Sequence, residues 1–266
     1  MAVLSKLLKY DLRANLKIFL FIWPAILVFG LLERIAIMAD LPNQLSAIFV
    51  NLTTVLFVLA VIAACVFALV ISVIRFYSGL LRDEGYLMFT LPVKPWKLVL
   101  SKFLTALLTL LVTVLVSVAS VGILFSGIDG FLPSLRDVLR QGFSAMINNW
   151  GIALLLLLIV VQIAVSVLQI YLSCAIGHLF RRKRVLFAVL FYYAINVVLE
   201  SVVVTAMILL SNFNPFRAFV ARINDGLSTP GAFNLFFGVL LACLAALGVV
   251  YFFVTERILR RHLNLE

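Results

Sequence analysis

Residues 41–74 read LPNQLSAIFVNLTTVLFVLAVIAACVFALVISVI, a stretch without a single Lys, Arg, Asp or Glu. A helix needs about 20 apolar residues to cross the hydrocarbon core of a bilayer, and a barrel strand needs about ten. The run is far longer than a strand. It belongs to a chain of 266 residues that is 65% hydrophobic and only 12% charged, with 13 glycines and 7 prolines, too few for a barrel of short strands. A soluble domain of this size still exposes much of its surface and could not hide so much apolar area. Lipid removes the difficulty, because it is the solvent for the outer faces of a helical bundle. The expected fold is an all-α membrane protein.

Working outward from this run, the apolar stretches predict six spans, near 15–38, 46–74, 99–125, 150–177, 185–210 and 233–255. Lys17 and Glu33 enclose fifteen uncharged residues, and apolar character continues to Ala39. Pro24 is expected to bend this first helix. The run is too long for a signal peptide and no small-x-small cleavage pattern follows it, so it reads as a retained helix. Phe103–Ile128 is uncharged, and Gln141–Phe180 contains no Lys, Arg, Asp or Glu. The chain reads as a single transmembrane domain over 1–266 with no soluble insertion.

The net charge of +10 could suggest a nucleic-acid partner, but its distribution argues otherwise. With the N-terminus inside, sixteen of the 21 basic residues fall on the inner side, including Lys6, Lys9, Arg13, Lys17, Arg75, Lys102 and the run Arg181–Arg184. Five fall outside: Arg34, Arg136, Arg140, Arg217 and Arg222. This is the positive-inside pattern, and it predicts that both termini are cytoplasmic. The cations then serve as topology signals and contacts to membrane lipid headgroups, with no nucleic acid involved.

From Leu4 onward, at about 100° per residue, Lys6, Lys9, Arg13 and Lys17 share one arc of a helical wheel, opposite Leu4, Leu7, Leu8 and Leu12. This predicts an amphipathic interfacial helix on the inner leaflet. Asp11 falls on its apolar side and is expected to meet a neighbouring cation or a helix N-terminus. Leu135, Leu139, Phe143 and Met146 similarly predict a short interfacial helix over 132–147.

Several chemistries are excluded by motif. The three cysteines are isolated within apolar runs, which fits packing rather than a disulfide framework or a zinc site. There are two histidines, His178 and His262, and no HExxH, no GxSxG and no GxxxxGK[ST]. The chain therefore lacks a metalloprotease helix, a nucleophile elbow and a P-loop.

Polar residues within the spans form stripes. Ser101, Thr105, Thr109, Thr113 and Ser117 recur at i+4, which suits close helix packing. Gln162, Ser166, Gln169 and Ser173 form a second stripe, and Tyr193, Asn196 and Glu200 a third. Packing and a translocation path both remain open for these two, with Gln162, Gln169, Asn196 and Glu200 as the path residues. Glu33 lies beside Arg34 near an outer end, where that neighbour or water is expected to satisfy it. Glu200 lies deeper without a basic neighbour, and an ionised carboxylate there is costly. It is expected to face a polar cavity, to pair, or to be protonated.

The loop joining the second and third spans, 77–97, reads YSGLLRDEGYLMFTLPVKPWK. It sets acids (Asp83, Glu84) beside an apolar run (Tyr86, Leu87, Met88, Phe89), delimited by Gly85 and by Pro92 and Pro95. A connector does not need such a cluster. An exposed apolar patch marks a docking surface, and the alternative is a segment lying on the membrane.

Glu84 and Gly85, Leu87, then Leu91, Pro92 and Val93, followed by Lys97 and an apolar span, resemble the loop of type-2 ABC exporter permeases. Six spans, a basic amphipathic N-terminal helix and a basic C-terminal tail are similar to that family as well. The resemblance implies that Asp83, Glu84, Gly85, Tyr86, Leu87 and Phe89 belong to a coupling helix that docks on a cytoplasmic ABC ATPase subunit. It implies no cofactor in this chain, with ATP and Mg bound by the ATPase. It further implies a second permease copy or a related permease chain, and a multi-pass location in the cell membrane, the cytoplasmic membrane in a bacterium. The chain would then be a transport subunit, not itself an enzyme. It would export a hydrophobic or amphipathic substrate such as a peptide, drug or lipid by alternating access. The outer stretch 211–232 is shorter than in many such proteins, so the substrate class stays open. A secondary transporter or channel, with Glu200 as an ion or proton site, is the alternative expectation.

Overall fold

The computed structural model describes residues 2–39, 43–81, 95–126, 150–180, 183–214 and 230–261, together with Pro133, Arg136, Asp137, Arg140 and Arg217. The described residues are helical, without strands. Six helices follow in order: α1 (Ala2–Met38), α2 (Asn43–Leu81), α3 (Pro95–Phe125), α4 (Trp150–His178), α5 (Arg184–Ser211) and α6 (Pro230–Arg261). Among the described residues, these six are long and apolar enough to cross a membrane. The chain is a helical, multi-pass membrane protein.

The helices outrun the hydrophobic spans read from sequence. Helix α1 is continuous for 37 residues through Pro24, about 55 Å at 1.5 Å per residue, well beyond the ~30 Å hydrocarbon core. The basic amphipathic stretch expected as a separate interfacial piece is the first turns of this same helix. No glycine or proline lies between Ala2 and Trp23 to interrupt it. Helix α2 runs on to Leu81, through Gly79, and α6 to Arg261, with no proline in either extension. Of the stretch 132–147, Pro133, Arg136, Asp137 and Arg140 are described, and all four are helical.

The helices group into two compact units, α1–α3 and α4–α6. In the first, α1 packs most closely on α3; in the second, α4 packs on both α6 and α5. Large apolar side chains remain outward on both, among them Phe21 at 78% and Leu209 at 67% exposure. Water would be a poor solvent for such surfaces, and acyl chains are a good one.

A tight turn closes the end of α4, next to the start of α5. Leu179 and Phe180 donate backbone hydrogen bonds to Ile176 and Gly177, and Phe187 N–H closes on Lys183 O at 3.2 Å. Lys183 takes a left-handed conformation, φ 58°. Phe180 stacks on Phe187 with ring centres 4.2 Å apart. A Cβ at Gly177 would lie 2.6 Å from the backbone nitrogen of Ala188, so only glycine lets the two helices meet there.

Candidate functional site

The loop residues singled out from sequence, Asp83, Glu84, Gly85, Tyr86, Leu87 and Phe89, lie outside the described residues. Their two attachments are described: α2 ends at Leu81 and α3 begins at Pro95.

Next to these attachments α1 contributes a carboxylate. Asp11 accepts an ionic hydrogen bond from Lys102 Nζ on Oδ1 at 2.6 Å and a second from Ser101 Oγ on Oδ2 at 2.9 Å. Both charged side chains are largely buried, at 12% and 15% exposure. Arg75 of α2 lies within electrostatic reach of the same carboxylate. Asp11 thus meets the neighbouring cation that its place on the apolar side of α1 predicts.

Beyond this cluster, Ser101, Thr105, Thr109, Thr113 and Ser117 are all buried, and Ser120 extends their row. Thr105, Thr109, Thr113 and Ser117 each donate to the carbonyl four residues back, at 2.7–3.0 Å. The hydroxyls are therefore satisfied inside α3 and present short side chains to α1, which is the packing role. Trp23 Nε1 donates to Thr113 Oγ1 at 3.1 Å, and Gly30 rests against Ser120. Asp11–Ser101, Trp23–Thr113 and Gly30–Ser120 are each ninety residues apart. The two helices run parallel in one fixed register.

Glu33 corrects an expectation. It is 1% exposed, not at a wet helix end, and its partner is Thr54 of α2, whose hydroxyl lies 2.5 Å from Oε1. Oε2 has no hydrogen-bond partner, and neither does Oδ1 of Asn15, 2% exposed on the same helix. The burial arises because Glu33 falls on the stripe of Asn15, Phe19, Ile26 and Ala36, the buried face of α1. Sequence reading weighed its neighbour Arg34 above that periodicity and so missed it.

In the second unit the four proposed path residues lie in different settings. Gln162 is exposed and Gln169 is buried, although seven residues place both on one side of α4. Asn196 is half-buried and donates to Tyr192 O at 2.9 Å, while Glu200 is exposed. No hydrogen bond joins the four among the described residues. The most apolar window of α5, which carries Asn196 and Glu200, has no buried residue. Nε2 of Gln169 and the hydroxyl of Tyr251 on α6 are among the polar atoms buried here without hydrogen-bond partners. Between them α4 and α6 close tightly, with Gly248 against Val165 and Leu168. Tyr251 carries no charge and sits in an apolar run, so only the packing reveals it.

Cys65, Cys174 and Cys243 are free thiols. The described residues contain no group of three or more His, Cys, Asp or Glu side chains placed to hold a metal ion. The chain matches no protein-family model, no curated protein and no solved structure.

Proposed function

We propose that this chain is the membrane subunit of an ATP-driven exporter, with its energy supplied by a separate cytoplasmic P-loop ATPase. The observation that carries the reading is the 77–97 stretch. An acidic pair, a glycine and an aromatic run stand between two membrane helices, on the side that the basic residues assign to the cytoplasm. Such a patch in water calls for a protein partner. On this reading Asp83, Glu84, Gly85, Tyr86, Leu87 and Phe89 dock on the ATPase. ATP and Mg reside on that partner. A second permease chain completes the path, and the assembly sits in a cell membrane. The cargo is hydrophobic or amphipathic, in keeping with a pathway between apolar helices.

Affinity purification of the tagged chain in mild detergent tests the class: a P-loop ATPase is expected to copurify. Replacing Glu84 and Tyr86 together by alanine is expected to uncouple ATP turnover from transport while membrane insertion is retained. Normal coupling in that double variant removes the docking assignment.

One observation favours a second reading, a secondary transporter or channel: Glu200 is an exposed carboxylate within a membrane-length helix. Transport into vesicles that follows an ion gradient without nucleotide, and that is lost in Glu200→Gln, would establish it in place of the first.

A further inference from the structure

Both attachments of the 82–94 segment lie beside one carboxylate that belongs to neither attached helix. Ser101 and Lys102 stand within two turns of Pro95, where the segment enters α3, and both bond Asp11 of α1. Arg75 and Gly79 stand within two turns of Leu81, where the segment leaves α2. Arg75 feels Asp11, and Gly79 makes room for the Lys102 stem: a Cβ there would lie 3.2 Å from Lys102 Cε and 3.3 Å from Nζ. Lys102 therefore lies over α2 while it bonds α1.

We propose that Asp11 is a positioning residue that joins α1 to the loop-bearing ends of α2 and α3, so that a displacement of the 82–94 segment is carried into α1. The inference rests on the exporter reading of that segment. Three features argue for a transmitting role beyond adhesion. First, both carboxylate oxygens are engaged, one by a cation and one by a hydroxyl, which fixes the side chain in orientation as well as position. Second, a largely buried ion pair is a poor way to gain stability compared with apolar packing, but it is directional and fails sharply when one partner is lost. Third, α2 is not among the closest-packed helix pairs, which are α1 with α3 and α4 with α5 and α6. The Lys102 stem lying on Gly79 is thus a connection that α2 has at this end.

The test uses the full chain copurified with its ATPase, in a background where Cys65, Cys174 and Cys243 are replaced by alanine. A spin label is placed on the exposed position 21 of α1 through Phe21→Cys, and the reagent added is ATP with magnesium. The parent and Asp11→Glu are expected to show an ATP-dependent spectral change. Asp11→Asn is expected to lose that change while retaining insertion and ATPase capture, an outcome that simple loosening of the fold would not give. Should Asp11→Asn fail to accumulate, Ser101→Ala, which withdraws only the Oδ2 donor, takes its place and is expected to weaken the change. An unaltered change in either variant overturns the role of Asp11 and leaves the exporter reading intact. A parent chain that captures no ATPase overturns the exporter reading, and the transmission role with it.

Discussion

Trp23 of α1 gives its indole N–H to the hydroxyl of Thr113 on α3, across 3.1 Å. The same hydroxyl donates its own proton to Thr109 O at 2.8 Å. Thr113 is thus acceptor to one helix and donor to its own, and it is fully buried. Thr113→Val keeps the shape and strands the indole N–H. It should destabilise the protein by about 1 kcal/mol, in the range of hydrogen bonds between membrane helices. Thr113→Ser should be near neutral. Thermal unfolding in detergent separates the two.

Glu33 and Thr54 invite a second comparison. Glu33→Gln keeps an acceptor for the Thr54 hydroxyl and removes a carboxylate with one unpartnered oxygen from a buried position. Burying such a group is costly, so Glu33→Gln should unfold at a higher temperature than the parent. Glu33→Leu, which leaves Thr54 to its own Val50 carbonyl, should be tolerated. A marked loss of stability in Glu33→Gln would show that the charge is balanced by a bound group.

At the α4–α5 turn, Gly177→Ala would drive a methyl to within 2.6 Å of the Ala188 backbone. Overpacking of this kind costs about 1–3 kcal/mol. The expected result is a lower yield of folded protein, with recovery impossible through side-chain movement alone because the obstacle is main chain.

At the same turn, Lys183 holds φ 58°. Left-handed backbone costs a non-glycine residue about 1–2 kcal/mol. Lys183→Gly should therefore raise stability, and Lys183→Asn should raise it less. Lys183→Val should lower it, since a β-branched side chain fits this region worst. Denaturant titration of the purified variants provides the ranking.

The Tyr251 hydroxyl is buried without a partner. Tyr251→Phe removes an unsatisfied polar group at almost constant volume and should stabilise the protein by about 1 kcal/mol. Destabilisation of Tyr251→Phe in thermal unfolding would mean instead that a water bridges the hydroxyl.

The number and order of the helices were legible because hydropathy reports where lipid must be the solvent, and the runs around 41–74 leave little choice. Helix ends were less legible. Hydropathy marks the edge of the hydrocarbon, whereas α1 and α2 continue past it, since no proline interrupts Ala2–Trp23 or Arg75–Leu80. The i+4 row from Ser101 to Ser117 gave its own role away through its spacing. The row on α4 did not: Gln162 and Gln169 share a helix face, but the neighbours packed against each level bury only the second. Glu33 was misread because sequence adjacency to Arg34 competed with a buried stripe that only the partner helices complete. Asp11 was readable in kind, as an acid seeking a cation, but the identity of Lys102 depends on a register that no local pattern encodes.

That register sets a rule about chain length. A residue inserted between Asp11 and Trp23 would turn everything after it by about 100°. Trp23 and Gly30 would leave the α3 seam together and Glu33 would leave Thr54 of α2, while Asp11 and Lys102 stayed joined. The same helix should accept many single replacements on its outward face. Natural variants of this protein should therefore differ freely in the composition of α1 and α3, but hardly at all in the count of residues between their shared contacts.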